Sequence, residues 1–147
     1  MLKGIDPLLS GDLLKVLDDM GHGDELALVD RNFPAYASGR PVIRLGEVSV
    51  VRAARAILSV LPLDSFVERP LERMEVEDDP ALTTPSQDEL LALASAAEGR
   101  LLDYGIVPRL LFYERVRSVF AVVHTLDDTP YGCFLLHKGV VFTSPSS

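Results

Sequence analysis

The sequence predicts a single α/β domain of three layers (α/β/α), with helices on both faces of a mixed, largely parallel β-sheet. Helical and strand-like patterns of apolar residues alternate along the chain, which favours this fold class. The length of 147 residues suits one domain, and a hydrophobic content of 48% is sufficient for a packed core. We expect the domain to span residues 1–142 and the segment 143–147 to form a flexible C-terminal tail.

Composition narrows the classes of protein and partner. A formal net charge of −8 disfavours binding to a phosphate backbone, which usually requires a basic face. Apolar runs fall short of the roughly 20 residues that span a bilayer, and the N-terminus lacks the basic and apolar regions of a secretory signal. The single cysteine, Cys133, cannot form an intrachain disulfide and suits a reducing compartment. We therefore expect a cytoplasmic protein that binds neither nucleic acid nor membranes.

In the first half of the chain, capping and helix-ending residues delimit the predicted elements. Ser10 can cap a first helix, and Ser49 can cap a second helix that Pro62 ends. Between these helices lie short apolar strands at residues 25–29 and 41–45, joined by a loop that contains asparagine, proline and glycine. This order predicts a helix, two strands and a second helix.

The second half continues the alternation. Ser86 and Glu89 have the spacing of a capping box, which predicts a helix that ends at Gly99. An exposed acidic loop is expected at residues 77–80. The remaining predicted elements are a strand before this helix, then a helix and two strands after it, at residues 71–76, 109–117, 119–124 and 133–136.

His22 is the first candidate for catalysis. It lies between Gly21 and Gly23, where a helix ends and a strand begins, and an imidazole can donate or accept a proton near neutral pH. Asp30 follows the next strand, at the carboxyl end where ligand groups gather in α/β sheets. The alternatives are a surface histidine and an aspartate that binds its own turn. A metal site of His22, Asp24 and Asp30 is disfavoured, because no His-x-x-x-His or Cys-x-x-Cys pairing accompanies them.

A second group of candidates lies in the last third of the chain. Arg109 and Tyr113 share a helix face at i,i+4 spacing and could bind a hydroxylated ligand, although an exposed helix face is the alternative. Tyr131 and Gly132 lie in a predicted turn, and a half-buried strand start is the plainer interpretation of this tyrosine. Cys133 lies in an apolar strand, where packing is favoured over nucleophilic catalysis.

Motifs of several other enzyme classes are absent from the sequence. There is no dinucleotide-binding fingerprint, no phosphate-binding P-loop and no Gly-x-Ser-x-Gly nucleophile elbow. His124 and His137 have no evident partner and are interpreted as structural or exposed.

Taken together and in order, seven segments resemble the L-fucose mutarotase and D-ribose pyranase family. Each segment alone is weak, but their ordered combination extends over nearly the whole chain and is specific. The segments are MLKGIDPLLS (1–10), MGHGDE (20–25), Asp30 with NFPA (32–35), VIR (42–44), LDS (63–65), the block from Arg109 with FYER (112–115), and Tyr131-Gly132 followed by KGV (138–140).

This resemblance implies an α/β/α fold and interconversion of the α and β anomers of a free monosaccharide such as L-fucose, without metal or nucleotide. It implies that His22 is the proton donor. The positions that it assigns to the sugar are Asp30, Asp64, Arg109, Tyr113, Tyr131, Gly132 and Cys133. The family often has asparagine where Cys133 stands, and a thiol lacks the amide's strong donor and acceptor, so only a backbone contact is preserved there. The Phe112–Tyr113 block places the chain nearer the fucose branch.

The reaction itself requires little chemical machinery. Opening a hemiacetal takes one proton from the anomeric hydroxyl and gives one to the ring oxygen, and positioned acid–base groups typically accelerate such steps about 10²–10⁴-fold. Our hypothesis is that His22 moves a proton, with Asp30 and Asp64 holding sugar hydroxyls and Arg109 donating to them. Tyr113 or Tyr131 would orient the sugar and relay the second proton.

The expected partners are the monosaccharide and further copies of the chain. The resemblance implies a ring-like homo-oligomer such as a decamer with sites between subunits, and the apolar stretch 119–123 would be safer if covered. Three alternatives stay open: a ribose-type pyranase that converts pyranose and furanose forms, a sugar-binding module without turnover, and a purely structural subunit.

Overall fold

The computed structural model describes residues 1–143. Residues 144–147, most of the expected tail, lie outside the described residues. The described helices are α1 (Gly11–Asp19), α2 (Val50–Leu58), α3 (Pro85–Glu98) and α4 (Arg109–Val116). The strands are β1 (Glu25–Val29), β2 (Val42–Gly46), β3 (Leu71–Met74), β4 (Gly105–Val107), β5 (Ala121–Thr125) and β6 (Phe134–His137).

All six strands form one sheet in the order β2-β5-β1-β6-β3-β4. The pairs β1–β5, β2–β5 and β3–β4 are parallel, whereas β6 runs antiparallel to both β1 and β3. Every residue of β5 is buried and β1 is buried from Leu26 onward, as expected of central strands covered on both faces. The predicted mixed, largely parallel sheet is confirmed.

Two apolar clusters hold the sheet between helical layers. On one face, residues of α1, α2 and α3, including Leu13, Ile57 and Leu90, pack against even-numbered positions of β1. On the other face, Phe112 and Val116 of α4 pack against the odd-numbered positions. The three-layer arrangement is therefore confirmed. Within residues 1–143, no helix combines the length and the apolar character that crossing a membrane requires.

Helix caps follow the sequence prediction closely, with one exception. Ser10 and Ser49 cap α1 and α2 through bonds from the backbone three residues on. The capping box predicted at Ser86 is wrong: Thr84 is the cap of α3 and Gln87 completes the box. Pro85 explains the difference, because its fixed φ and missing N–H suit the first position of a helix.

Three strand predictions also need correction. Strand β3 stops at Met74, since the chain turns over Val76–Asp79 with Glu77 and Asp78 at positive φ. Strand β4 was not predicted at all. The stretch 119–123 needs no cover from another subunit, because β5 lies inside the sheet between β2 and β1. Its apolar character therefore reflects burial within one chain.

Candidate active site

A pocket of about 240 Å³ lies at the edge of the sheet where β1, β3 and β4 end and β6 begins. This volume suits a ligand smaller than a typical drug molecule. Apolar side chains of Phe33, Met74 and Pro130 form part of its wall. Five of the predicted substrate-binding residues also line it: Asp30, Arg109, Tyr113, Tyr131 and Cys133.

Asp30 is the most constrained polar group of the pocket. Its side chain is buried, and Oδ1 accepts hydrogen bonds from the backbone N–H groups of Asn32 (3.0 Å) and Phe33 (3.1 Å). Oδ2 accepts from the Gly132 N–H at 3.1 Å and from the Cys133 thiol at 3.6 Å. Burial raises the pKa of Asp30, and these hydrogen bonds partly oppose that shift. Asp30 therefore both orders its own turn and presents a carboxyl group to the pocket.

Arg109 and Tyr113 lie on one face of α4, as their spacing predicts. The Arg109 guanidinium stacks over the Tyr113 ring, 5.7 Å from the ring centroid. The Phe33 ring packs against Tyr113 in a tilted arrangement, with ring centroids 5.3 Å apart. Arg109 and Tyr113 thus offer guanidinium donors and a phenol beside an aromatic ring, which is a suitable surface for a polyhydroxy ligand.

The turn of Tyr131, Gly132 and Cys133 closes the pocket opposite α4. Tyr131 has a φ of 60°, in the left-handed region that a non-glycine residue rarely occupies. The next residue, Gly132, passes close to the Thr129 backbone. A Cβ at this position would lie only 3.2 Å from the Thr129 carbonyl oxygen. Burial and the nearby Asp30 charge raise the pKa of the Cys133 thiol. Cys133 is therefore poorly suited to act as a nucleophile.

His22 and Asp64 lie at the opposite edge of the sheet from this pocket. His22 precedes β1 and Asp30 follows it, so a strand about 17 Å long separates them. The His22 Nε2 atom lies 3.0 Å from Asp64 Oδ1, and the Phe66 N–H donates to the same oxygen at 3.0 Å. Burial raises the pKa of Asp64, but these hydrogen bonds and the nearby histidine charges outweigh it and lower the pKa overall. Asp64 was expected at a sugar hydroxyl; here it orients the imidazole.

The end of β6 supports this pair from behind. The Lys138 carbonyl accepts from the Gly23 N–H at 2.8 Å, and the Lys138 N–H donates to the Asp24 backbone carbonyl at 2.9 Å. The His137 carbonyl accepts from the Asp64 N–H at 2.9 Å. Lys138 Nζ also donates to carbonyls at the end of α1. One short segment therefore positions both the histidine loop and its carboxylate.

The arrangement of β1, β6 and α4 agrees with the family inferred from sequence. Residues 3–141 match the RbsD / FucU transport protein family. The chain belongs to this family. It is 39% identical over 140 residues to an L-fucose mutarotase of Glaesserella parasuis, a match that covers 95% of this chain and 96% of the relative.

Solved structures of family members resemble the chain over its length. The fucose mutarotase of Streptococcus pneumoniae, solved in complex with L-fucose, has a TM-score of 0.87 at 33% identity, covering 96% of this chain and 100% of that one. The RbsD of Bacillus subtilis complexed with D-ribose has a TM-score of 0.76 at 22% identity, covering 97% and 100%, which shows a common fold. The expected family, nearer its fucose branch, is thereby confirmed.

Sequence reasoning missed a charged network in this family member. The His137 Nε2 atom lies 2.7 Å from Glu72 Oε2, and Arg115 donates to Glu72 (2.7 Å) and to Glu25 (2.6 Å). His137 therefore has partners, contrary to expectation. Among residues 1–143, Glu25, Glu72 and His137 form a group whose ligand atoms could hold a metal ion. The Arg115 guanidinium already forms ion pairs with both carboxylates, which favours a structural ion network.

Proposed function

We propose that this protein is a sugar mutarotase, an isomerase that interconverts the anomers of L-fucose or a closely similar free monosaccharide. The main support for this proposal is the pocket, which is lined by Asp30, Arg109 and two tyrosines together with apolar side chains. Family membership and the relative named L-fucose mutarotase support the same activity.

The pocket can bind the sugar through complementary groups. The Arg109 guanidinium and the phenols of Tyr113 and Tyr131 donate to sugar oxygens, and the Asp30 carboxyl accepts from hydroxyls. Phe33 and Met74 offer an apolar wall, which suits the methyl group of a 6-deoxy sugar. Substrate orientation is thus the part of catalysis that this edge of the sheet supplies.

His22 supplies the proton transfer in this proposal. If Nε2–H donates to Asp64, the Nδ1 atom of the neutral ring is an acceptor and can take the proton of the anomeric hydroxyl. As the bond between C1 and the ring oxygen breaks, a pocket tyrosine gives its proton to the ring oxygen. When the ring closes on the other face, the tyrosine regains that proton and the imidazolium returns its own to the anomeric oxygen. Asp64 stabilises the charged ring and fixes its tautomer.

His22 of one copy would serve the pocket of another, because β1 separates the two groups within a chain. The pocket of one chain contains Arg109 and tyrosines but none of the described histidines. The His22 side chain is 47% exposed, and it lies beside Phe66, whose ring centroid is 5.3 Å away and which is 68% exposed. Phe142, 71% exposed, packs next to Phe66. Exposed aromatic groups beside a catalytic histidine favour an interface between copies, as in the expected ring such as a decamer.

The test is anomer exchange measured by saturation-transfer NMR on L-fucose. The unaltered protein is expected to accelerate exchange, and His22→Ala is expected to abolish it because no other imidazole replaces the proton carrier. His124→Gln is the control, since His124 is buried in β5 and is not among the residues that line the pocket. Full exchange in His22→Ala would contradict the role of the histidine.

A panel of sugars separates this proposal from its alternatives. Exchange of pyranose and furanose forms of ribose, faster than anomer exchange of fucose, would favour a pyranase. Saturable binding of fucose without any exchange would favour a binding module. The single buried thiol is compatible with the cytoplasmic location that we propose for the enzyme.

A further inference from the structure

Gln87 connects helix α3 to two walls of the pocket, although it lies outside the pocket itself. Its side chain is fully buried at 0% exposure. The Nε2 atom donates to the carbonyl of Met74 at 3.1 Å and to the carbonyl of Tyr131 at 3.2 Å. Both acceptors belong to residues that line the pocket, and they lie on different elements.

The hydrogen bond from Gln87 to Tyr131 holds one side of a peptide unit whose opposite side is hydrogen-bonded to Asp30. The Tyr131 carbonyl and the Gly132 N–H belong to one planar peptide, in which they point in opposite directions. Gln87 holds the carbonyl, and the Gly132 N–H donates to Asp30 Oδ2 at 3.1 Å. A rotation of this peptide plane would break both bonds together. By holding the Tyr131 carbonyl, the Gln87 amide fixes the direction in which the Gly132 N–H points toward Asp30.

This peptide needs an external constraint. Tyr131 has a φ of 60°, which is unfavourable for a non-glycine residue and persists only where the surrounding structure imposes it. The amide of Gln87 is well placed to impose it, because its own position is fixed twice. Its Oε1 accepts from the Thr84 N–H at 3.2 Å, and its carbonyl accepts from the Tyr104 hydroxyl at 2.6 Å.

We infer that Gln87 is a positioning residue that sets the Tyr131–Gly132 peptide and, through it, the Asp30 carboxyl for sugar binding. The inference rests on the proposed function for its effect on the sugar, but its effect on the peptide is independent of any ligand. It separates two roles of one side chain: Oε1 serves the helix cap, and Nε2 serves the pocket.

Three variants separate these roles. Gln87→Met removes both donated bonds without adding charge, and Gln87→Glu keeps an oxygen for the Thr84 N–H while removing the donor. Thr84→Val is the matched control, because it removes the cap oxygen that accepts from the Gln87 N–H and leaves the amide side chain intact. Circular dichroism and dispersed NMR spectra establish which variants are folded.

Two readouts are measured on each folded variant. In Gln87→Met and Gln87→Glu, the Gly132 amide resonance is expected to move strongly, and the L-fucose dissociation constant to rise about tenfold, with kcat changed less than about twofold. Thr84→Val is expected to change neither. An unmoved Gly132 resonance in both Gln87 variants would overturn the inference, as would an equal loss of affinity in Thr84→Val.

The remaining outcomes are also decisive. Unfolding of both Gln87 variants would show that the residue serves stability, and it would overturn the positioning role. If the unaltered protein neither binds nor exchanges L-fucose, the proposed function fails, but the Gly132 resonance still decides whether Gln87 sets the peptide.

Discussion

The Glu72 carboxylate lies among three ionisable side chains on the α4 face of the sheet. His137 and Arg115 donate to it, and Glu25 shares the same Arg115. Burial raises the pKa of Glu72, but the hydrogen bonds and charges of His137 and Arg115 outweigh it and lower the pKa from 4.5 to about 2. The folded state therefore favours the ionised form more strongly than the unfolded chain does.

The pKa of Glu72 predicts a pH-dependent contribution to stability. Because the folded value is depressed, the contribution is complete above pH 4.5 and is lost as the pH falls toward about 2. A shift of this size corresponds to about 3 kcal/mol. In urea unfolding, Glu72→Gln is expected to be less stable than the unaltered protein at about pH 6, and this difference is expected to shrink as the pH falls below 4.5 and to become small only near pH 2.

The exposed Glu68 provides the control for this measurement. Glu68→Gln changes only an exposed side chain and is expected to alter stability by less than about 0.5 kcal/mol. A constant stability difference for Glu72→Gln at every pH would show that Glu72 is not the titrating group.

The ion network around Glu72 could not be predicted from the sequence, for a physical reason. Arg115 and Glu25 are 90 positions apart, and His137 and Glu72 are 65 apart, so only the strand register brings them together. Asp30 and Arg109 could be nominated because each follows a strand end or shares a helix face with a local partner. The separation of His22 from Asp30 depends on the direction of β1, which local spacing does not give.

At the scale of elements, local signals succeeded where the capping side chain and the backbone N–H that donates to it lie within one turn. Ser10 and Ser49 each bond a backbone N–H three residues on, which is why α1 and α2 could be placed. Strand β4 has three residues, too few to establish an alternating pattern. In α3, two overlapping capping-box spacings compete, and the proline at the first helical position decides between them.

Gly139 offers a test of how elements meet behind the His22–Asp64 pair. A Cβ at this position would lie 2.5 Å from the Leu63 carbonyl oxygen and 2.8 Å from the Asp64 Cα atom, which is backbone that cannot rotate aside. Gly139→Ala is expected to lower the free energy of unfolding by about 1–3 kcal/mol. It should also reduce anomer exchange, because Asp64 is pushed away from His22.

The matched substitution is Gly11→Ala, where a Cβ meets nothing within 4 Å at the start of α1. It should leave exchange unchanged and stability equal or slightly raised. Chemical denaturation and NMR exchange on both variants provide the measurements. Equal behaviour of the two alanine variants would contradict the steric argument.

At the scale of the whole molecule, the candidate functional groups lie at two opposite edges of the sheet. The carboxyl ends of β1 and β3 carry the pocket that we propose for the sugar, and the opposite edge carries the His22–Asp64 pair with its exposed aromatic residues. Among residues 1–143, no histidine lines this pocket. The proposed activity therefore requires that two copies meet, with the histidine edge of one against the pocket of the other.

This requirement predicts complementation between two inactive variants. His22→Ala retains an intact pocket, and Arg109→Ala retains the proton carrier; both changes are at exposed residues that leave the core intact. When the two variants are refolded together, a site between copies can combine His22 from one variant with Arg109 from the other. Random mixing should restore about a quarter of the sites. A site within one chain would restore none, because each chain lacks one group.

Mixing His22→Ala with a chain that carries both substitutions supplies the negative control, since no arrangement of those two chains contains an intact His22. Exchange that returns only in the first mixture, in particles that light scattering shows to be oligomers, is the expected result, and its absence would contradict a site shared between two copies.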